Sequence, residues 1–343
     1  DNTQFMEYFF DEEFNIPPRK QVHLRRMLMG LTSYYPIDRS AISYMPEIKE
    51  PYFKNPLYEN YLITKKINIV PCFMSYEQFT EYEIKHNNEV EQDLKKLRRK
   101  NMFDDEFFHY YSGTRQTCNI IYNEPGDEET KYRLMNQDNN FTTNLSKYSP
   151  KMLNIMENMN KFIDNDRPTG KLLLYSVYKS EGGSGAFAEI LKANGYEKYD
   201  YKLNNIDTLI KSNDKKKRYT FITGDEDEIV KEENKSAYNH TENINGEYIQ
   251  VMIISQSGAE GISLTCVRQV HIMEPYWNNV RMDQVFGRAI RRNSHIGPDV
   301  NNPWLTKDKQ NVEQYIYLSM FPDGTNIKGI FESIKKSNWS LTN

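Results

Sequence analysis

The sequence predicts an α/β protein: a parallel sheet with helices on both faces, preceded by a mixed α/β accessory region. Three observations carry this. Runs such as Leu172-Leu173-Leu174-Tyr175-Ser176 and Gln250-Val251-Met252-Ile253-Ile254-Ser255 are apolar between their polar ends, without the alternation of a half-exposed strand. That marks strands buried on both faces, as in a parallel sheet. These runs alternate with helix-length amphipathic stretches, which implies βαβ crossovers. The chain has 343 residues, 38% hydrophobic and 27% charged, enough for roughly two domains. The division is placed between an accessory region, 1–148, and a main domain, 149–343.

The first 60 residues are rich in aromatics and proline, with a basic helical patch from Arg19 closed at Gly30-Leu31-Thr32-Ser33-Tyr34-Tyr35-Pro36. Lys66-Ile67-Asn68-Ile69-Val70-Pro71-Cys72-Phe73-Met74 alternates as a strand does. Ser75 and Gln78 form a capping box opening a charged helix that runs to about Lys100. Its end, Lys95-Lys96-Leu97-Arg98-Arg99-Lys100, suits the negative pole of the helix dipole; Arg98 and Arg99 are also candidate phosphate contacts. Residues 101–145 read as loop-rich and partly mobile.

Ser149-Pro150 opens the main domain as a helix start, with Pro in the first turn. Met152, Ile155, Met156, Met159 and Phe162 recur at helical spacing and face a core. After the Leu172–Ser176 strand, Gly182-Gly183-Ser184-Gly185 leads into a helix over Ala186–Leu191, ended by Gly195. Strands follow at Tyr219-Thr220-Phe221-Ile222-Thr223-Gly224, Gln250–Ser255 and Arg268-Gln269-Val270-His271-Ile272-Met273.

The formal net charge of −4 provides no global field for nucleic acid, so any such surface must be a local patch. No apolar run reaches the ~18 residues of a membrane span. The chain begins at Asp1 with neither Met nor signal peptide and reads as excised from something longer. Cys72, Cys118 and Cys266 lie far apart in apolar surroundings, as buried free thiols do. The six His show no ligand spacing, so no metal-ligating residues are assigned.

The most informative stretch is Gln284-Val285-Phe286-Gly287-Arg288-Ala289-Ile290-Arg291-Arg292. Arg288 and Arg291, three apart, follow a Gln and a Gly on what reads as a helix start, and residues three apart share a helix face. Paired guanidiniums suit a phosphate that gains charge in a transition state. Upstream, Ser257-Gly258-Ala259-Glu260-Gly261-Ile262-Ser263-Leu264-Thr265 reads as a turn opening a short helix, its glycines letting backbone amides approach a ligand. Equally informative are the missing parts. No Gly-x-x-x-x-Gly-Lys-Ser/Thr loop occurs. Thr169-Gly170-Lys171 is a decoy that precedes a strand instead of following one. No Asp-Glu pair ends an apolar strand. The Gly182–Gly185 cluster, lacking a partner Lys, reads better as a tight turn than as an anion site.

In this order, with Glu274-Pro275-Tyr276-Trp277-Asn278-Asn279 between a strand and the arginines, the segment resembles the C-terminal RecA-like domain of a SWI/SNF-related superfamily 2 helicase. Within that group it is similar to helicase-like proteins of large DNA viruses: the poxvirus early transcription factor small subunit and its asfarvirus and mimivirus relatives. Gly30–Tyr35 and Ser112-Gly113-Thr114-Arg115-Gln116-Thr117-Cys118-Asn119 resemble segments flanking that domain. The resemblance implies that Arg288 and Arg291 are arginine fingers oriented by Gln284. Gly258, Glu260 and Gly261 would contact nucleotide; Ser176, Ser255 and Ser257, with Arg98 and Arg99, would contact nucleic acid. It implies ATP and Mg²⁺ held mainly by an absent first RecA-like domain of the same polypeptide, without which this chain is inactive. DNA or RNA, and a viral RNA polymerase or transcription-factor subunit, would be partners. The setting would be the viral factory of the host cytoplasm and the virion. The alternative is a non-catalytic module that binds nucleic acid or a transcription partner.

Overall fold

The computed structural model describes residues 17, 20, 46–49, 67–98, 112–180, 182–256, 258, 261–276, 279–297 and 303–322. The chain divides into two compact units, residues 1–43 and 44–343, and every element named below belongs to the second. The strands are β1 (Glu47–Ile48), β2 (Ile67–Phe73), β3 (Ile163–Asp164), β4 (Arg167–Pro168), β5 (Lys171–Tyr175), β6 (Glu197–Lys198), β7 (Arg218–Ile222), β8 (Val251–Ile254), β9 (Val267–Ile272) and β10 (Asn311–Met320). The helices are α1 (Tyr76–Arg98), α2 (Ser112–Thr117), α3 (Glu128–Gln137), α4 (Leu145–Tyr148), α5 (Pro150–Asn160), α6 (Ser184–Ala193), α7 (Ile206–Ser212), α8 (Glu228–Tyr238) and α9 (Asn279–Ala289).

Among the described residues, eight strands form one sheet in the order β1-β10-β9-β5-β8-β7-β6, with β2 also pairing β10. Every pairing in it is parallel. The central strands sort their side chains between two cores. Leu172, Leu174, Val251 and Ile253 join one core with α5 and α6. Leu173, Tyr175, Met252 and Ile254 join the other with α7, α8 and α9. Period-two alternation thus buries both faces, which confirms the sheet expected from the apolar runs.

Local signals at the start of the main domain hold. Ser149 Oγ accepts from Met152 N and Pro150 lies in the first turn of α5. Met152, Ile155, Met156, Met159 and Phe162 are all buried. The capping box at Ser75 is half made: Ser75 Oγ accepts from Gln78 N, but the Gln78 amide turns away and donates to Thr117 O. The stretch 101–145, expected as loop, carries α2 and α3 and the first residue of α4 within its described part. The sheet also spans the expected division at 148/149, because β2 pairs β10 over Ile67–Phe73 against Gln314–Met320. All three cysteines are free; Cys72 and Cys266 are buried as expected, and Cys118 is half-buried.

One buried polar ladder joins β9 and β10. His271 Nδ1 lies 2.9 Å from Tyr317 Oη and Nε2 lies 3.1 Å from Gln269 Oε1. Gln269 and Tyr315 both donate to Glu313 Oε2. The His271 ring stacks on Tyr315 with centroids 5.1 Å apart. Burial pushes the imidazole pKa down to about 3, Glu313 opposing and Lys161 adding to the shift.

Candidate functional site

Three adjacent parallel strands, β9, β5 and β8, end level with one another: Tyr175 pairs with both Ile254 and Ile272. The carboxyl ends of such strands form the crevice where open α/β sheets take ligands. Ser176, Ser255 and Glu274 emerge there. Lys171 begins β5 at the opposite end, roughly 13–16 Å away at ~3.3 Å per residue. Its ammonium is buried, donates to Tyr238 O at 2.8 Å and lies over the Tyr238 ring. Burial pushes its pKa down to about 8. The Thr169-Gly170-Lys171 decoy is therefore an architectural lysine.

The arginine segment belongs to α9. Val285, Phe286 and Ala289 of that helix are buried in the second core, while Asp283 and Gln284 are exposed and Arg288 is half-buried. Where the sequence suggested a helix start, the helix opens at Asn279. Arg288 lies in its last turn and Arg291 beyond its end at Ala289, because Asn279–Arg281 already turn helically ahead of the Gln. The negative end of the helix dipole favours cations at this position. Ile290 packs against the core, as it must to leave the arginines outward.

Both guanidiniums lie against the segment between β8 and β9. Arg288 Nη1 is 3.5 Å from Ile262 O, a long contact, and Leu264 N donates to Arg288 O at 3.0 Å. Arg291 donates to Gly287 O at 2.9 Å and to Ser263 Oγ. A methyl built on Gly287 meets nothing within 4 Å among the described residues, so α9 is open beside the two arginines. Guanidiniums and an exposed amide are donors of the kind that phosphate oxygens accept from. A third arginine went unnoticed in the sequence. Arg281 lies two turns before Arg288, donates to Gln256 Oε1 at 2.9 Å and sits 3.9 Å from the Tyr276 ring centroid. Its i, i+7 spacing from Arg288 was the available signal.

The glycines of the preceding turn do different work. A Cβ on Gly258 would lie 1.8 Å from Ile222 O, so this glycine lets the turn pack on the end of β7. Gly261 has φ of +75° with nothing within 4 Å of a built Cβ among the described residues; its backbone demands glycine. Residues 261–266 are irregular, with bends, and not the short helix expected, since Leu264 and Cys266 amides bond to Arg288 O and Ser294 O instead. Ser257 and Glu260 lie outside the described residues, as does Arg99; Arg98 ends α1, with only its backbone described. Ser176 and Ser255 are buried, so the structure does not present their hydroxyls to a nucleic acid. Ser176 Oγ bonds Glu274 and Tyr178 O; Ser255 Oγ accepts from Gly258 N at 3.4 Å. Around Gly182–Gly185 the amides of Gly183, Ser184 and Gly185 donate to the carbonyls of Ser180, Tyr178 and Lys179. They are spent within a tight turn, the reading the sequence favoured.

Comparison with known proteins gives one family match: the helicase conserved C-terminal domain, over residues 157–293. A protein of Acanthamoeba polyphaga mimivirus named as an ATP-dependent RNA helicase is 34% identical over 215 residues, 63% of this chain and 34% of its own length. The termination factor NPH-I homolog of African swine fever virus is 38% identical over 106 residues, 30% of this chain and 14% of its own. The chain thus spans about a third or less of these relatives. Among solved structures, the Sulfolobus solfataricus SWI2/SNF2 ATPase core in complex with dsDNA aligns with 81% of this chain and 46% of that one. Its TM-score is 0.41, with 14% identity. The family match spans β5, β8, β9 and α9, the elements that build the crevice and the arginine face. Residues 157–293 thus match the helicase conserved C-terminal domain, on a parallel sheet among the described residues, and viral proteins named as an RNA helicase and a termination factor homolog are similar to parts of the chain.

Proposed function

We propose that this chain is the C-terminal half of an ATP-dependent nucleic-acid helicase or translocase, serving viral transcription. One observation carries the reading: Arg288 and Arg291 at the end of α9, half-buried on the 262–264 segment, with no described residue within 4 Å of a Cβ built on Gly287 beside them. ATP and Mg²⁺ are held mainly by a first RecA-like domain of the same polypeptide, and α9 supplies the fingers. Gln284 orients them. The 257–261 segment, with Gly258, Glu260 and Gly261, contacts nucleotide and nucleic acid. DNA or RNA runs over the carboxyl ends of the strands, with Arg98 and Arg99 as outlying phosphate contacts. The names of the relatives, an RNA helicase and a termination factor, support a place beside a viral polymerase or transcription factor, and hence in the cytoplasmic viral factory and the virion.

During phosphoryl transfer negative charge spreads over the γ-phosphate oxygens, and arginine fingers contribute about 10³–10⁵ in kcat. The test is steady-state ATP hydrolysis by the intact polypeptide with single-stranded DNA or RNA. Arg288→Ala and Arg291→Ala are expected to lower kcat at least about 10³-fold with little change in KM for ATP. Residues 1–343 alone are expected to show no turnover. Near-parental kcat in Arg288→Ala overturns the finger assignment. Turnover by the isolated chain that Arg288→Ala abolishes overturns the division of labour.

A further inference from the structure

The function just proposed leaves one buried constellation unused. Glu274 follows β9 and is 3% exposed. Its Oε1 accepts from Asn119 Nδ2 at 2.6 Å and from Ser176 Oγ at 2.9 Å; its Oε2 accepts from Val177 N at 2.8 Å. Asn119, fully buried, also donates to Gly182 O at 2.6 Å, and its Oδ1 accepts from Lys151 Nζ at 2.8 Å. Lys151 is 4% exposed. The carboxylate and the ammonium are thus bridged by one amide, and the charges cancel inside the fold. The Asn119 carbonyl completes the junction by accepting from Ser149 Oγ, the cap of α5.

A second, steric observation points to the same place. A Cβ on Gly182 would lie 2.5 Å from Gln116 Cβ and 3.0 Å from Gln116 Cα, so α2 is seated directly on the turn after β5. A Cβ on Gly183 would lie 2.0 Å from Tyr178 O, which pins the turn upon itself. Arg115 of α2 lies over the Tyr178 ring at 5.5 Å. Hydrogen bonds and close packing therefore fasten Arg115–Asn119 to the turn 176–185. The same Glu274 that receives this clasp leads, through Pro275 and Tyr276, toward α9 and its arginines. Asn119 and Lys151 both precede residue 157, where the family match begins.

We propose that Asn119 and Glu274 are positioning residues. They lock the turn 176–185, and through it the nucleic-acid track at the carboxyl end of β5, to the strand end that carries α9. The segment 112–151 is on this account a working part of the helicase domain. The clasp couples occupancy of the track to the placement of the arginines. This rests on the helicase reading above.

The test uses the intact polypeptide and two independent variants, Asn119→Ala and Gly182→Ala, each checked for a parental circular dichroism spectrum. Amide hydrogen exchange should accelerate about tenfold or more at 183–185 with no change in β8, the signature of local opening. The concentration of oligo(dT) or oligo(U) giving half-maximal stimulation of ATP hydrolysis should rise about tenfold or more, since ångström misplacements carry penalties of that order. KM for ATP should stay within about threefold, the split expected when a remote positioning group is lost. Unchanged exchange at 183–185 overturns the clasp. Accelerated exchange with unchanged half-maximal stimulation overturns its positioning role. A parental polypeptide without stimulated hydrolysis defeats the helicase reading first, and the coupling falls with it. The two failures are told apart by which protein shows them.

Discussion

Glu274 and Lys151 are charged groups closed inside the fold, bridged by Asn119. Arg288 and Arg291 are charged groups at the end of α9 that rest on one loop and keep part of their surface in solvent. The difference is one of alternatives. A buried carboxylate that loses its donors has no water to turn to, so burial there demands complete pairing. A half-exposed guanidinium can exchange a carbonyl for water, or for a phosphate, at little cost. Complete pairing inside a closed site marks architecture; a part-exposed guanidinium is one whose partners can be exchanged.

The sharpest way to break this contrast is to remove Glu274. Glu274→Ala removes the counter-charge of the Lys151 ammonium and the acceptor of the Val177 amide, of the Ser176 hydroxyl and of one Asn119 N–H. Deleting one member of a buried charge pair typically costs about 3–5 kcal/mol. Urea unfolding should show a loss in that range. A loss under about 1 kcal/mol would mean that water reaches Glu274 and that the two regions do not differ in kind.

The second prediction concerns the ladder of β9 and β10, the other fully paired polar cluster. His271 titrates at about 3 in the fold and His295, held by Val267 O, at about 4, both through burial. The unfolded chain takes up these protons near 6.5. Stability contributed by the neutral rings is thus present above pH ~6.5 and lost as pH falls toward the folded values. Each ring should add a slope of about 1.4 kcal/mol per pH unit below that point. Unfolding free energies at pH 7, 6 and 5 read it, before the carboxylates enter. His271→Gln should remove about half of the slope; an unchanged slope would show the ring to be hydrated.

These two clusters also explain what the sequence could show. The strands β5, β8 and β9 were legible because apolar runs of strand length have few other homes, and α5 because its stripe and its Ser149 cap agree. β10 was not. Asn311, Glu313 and Gln314 look like surface residues, and only their partners, Arg268, Gln269 and Tyr315 among them, make their burial affordable. Its pairing with β2, some 247 positions away, leaves no local trace. At the site, Arg288 and Arg291 stood out by spacing and Gly258 by type. Ser176 and Ser255, expected against nucleic acid, follow β5 and β8 and are buried, a depth that no local signal in the sequence reveals. Glu274 offered one signal that could have been used: a lone acid directly after a buried strand, where a carboxylate persists only if donors converge on it.

The smallest stability effect is expected where the functional effect is expected to be largest. Arg291 makes two side-chain bonds, to Gly287 O and Ser263 Oγ, on a side chain that solvent already reaches. Water can replace both, so Arg291→Ala should cost no more than about 1 kcal/mol in the same urea titration. Arg291→Lys sharpens the point. It keeps the positive charge at the helix end, so stability should stay within about 0.5 kcal/mol of the parent. A point charge on a flexible stem cannot reproduce the planar fork that a phosphate with spreading charge selects. If the side chain only caps α9, the Lys variant should hydrolyse ATP as the parent does. If it is a finger, the Lys variant should be impaired nearly as much as the Ala variant while remaining as stable as the parent. That dissociation of activity from stability is what Glu274, bound on every side, cannot show.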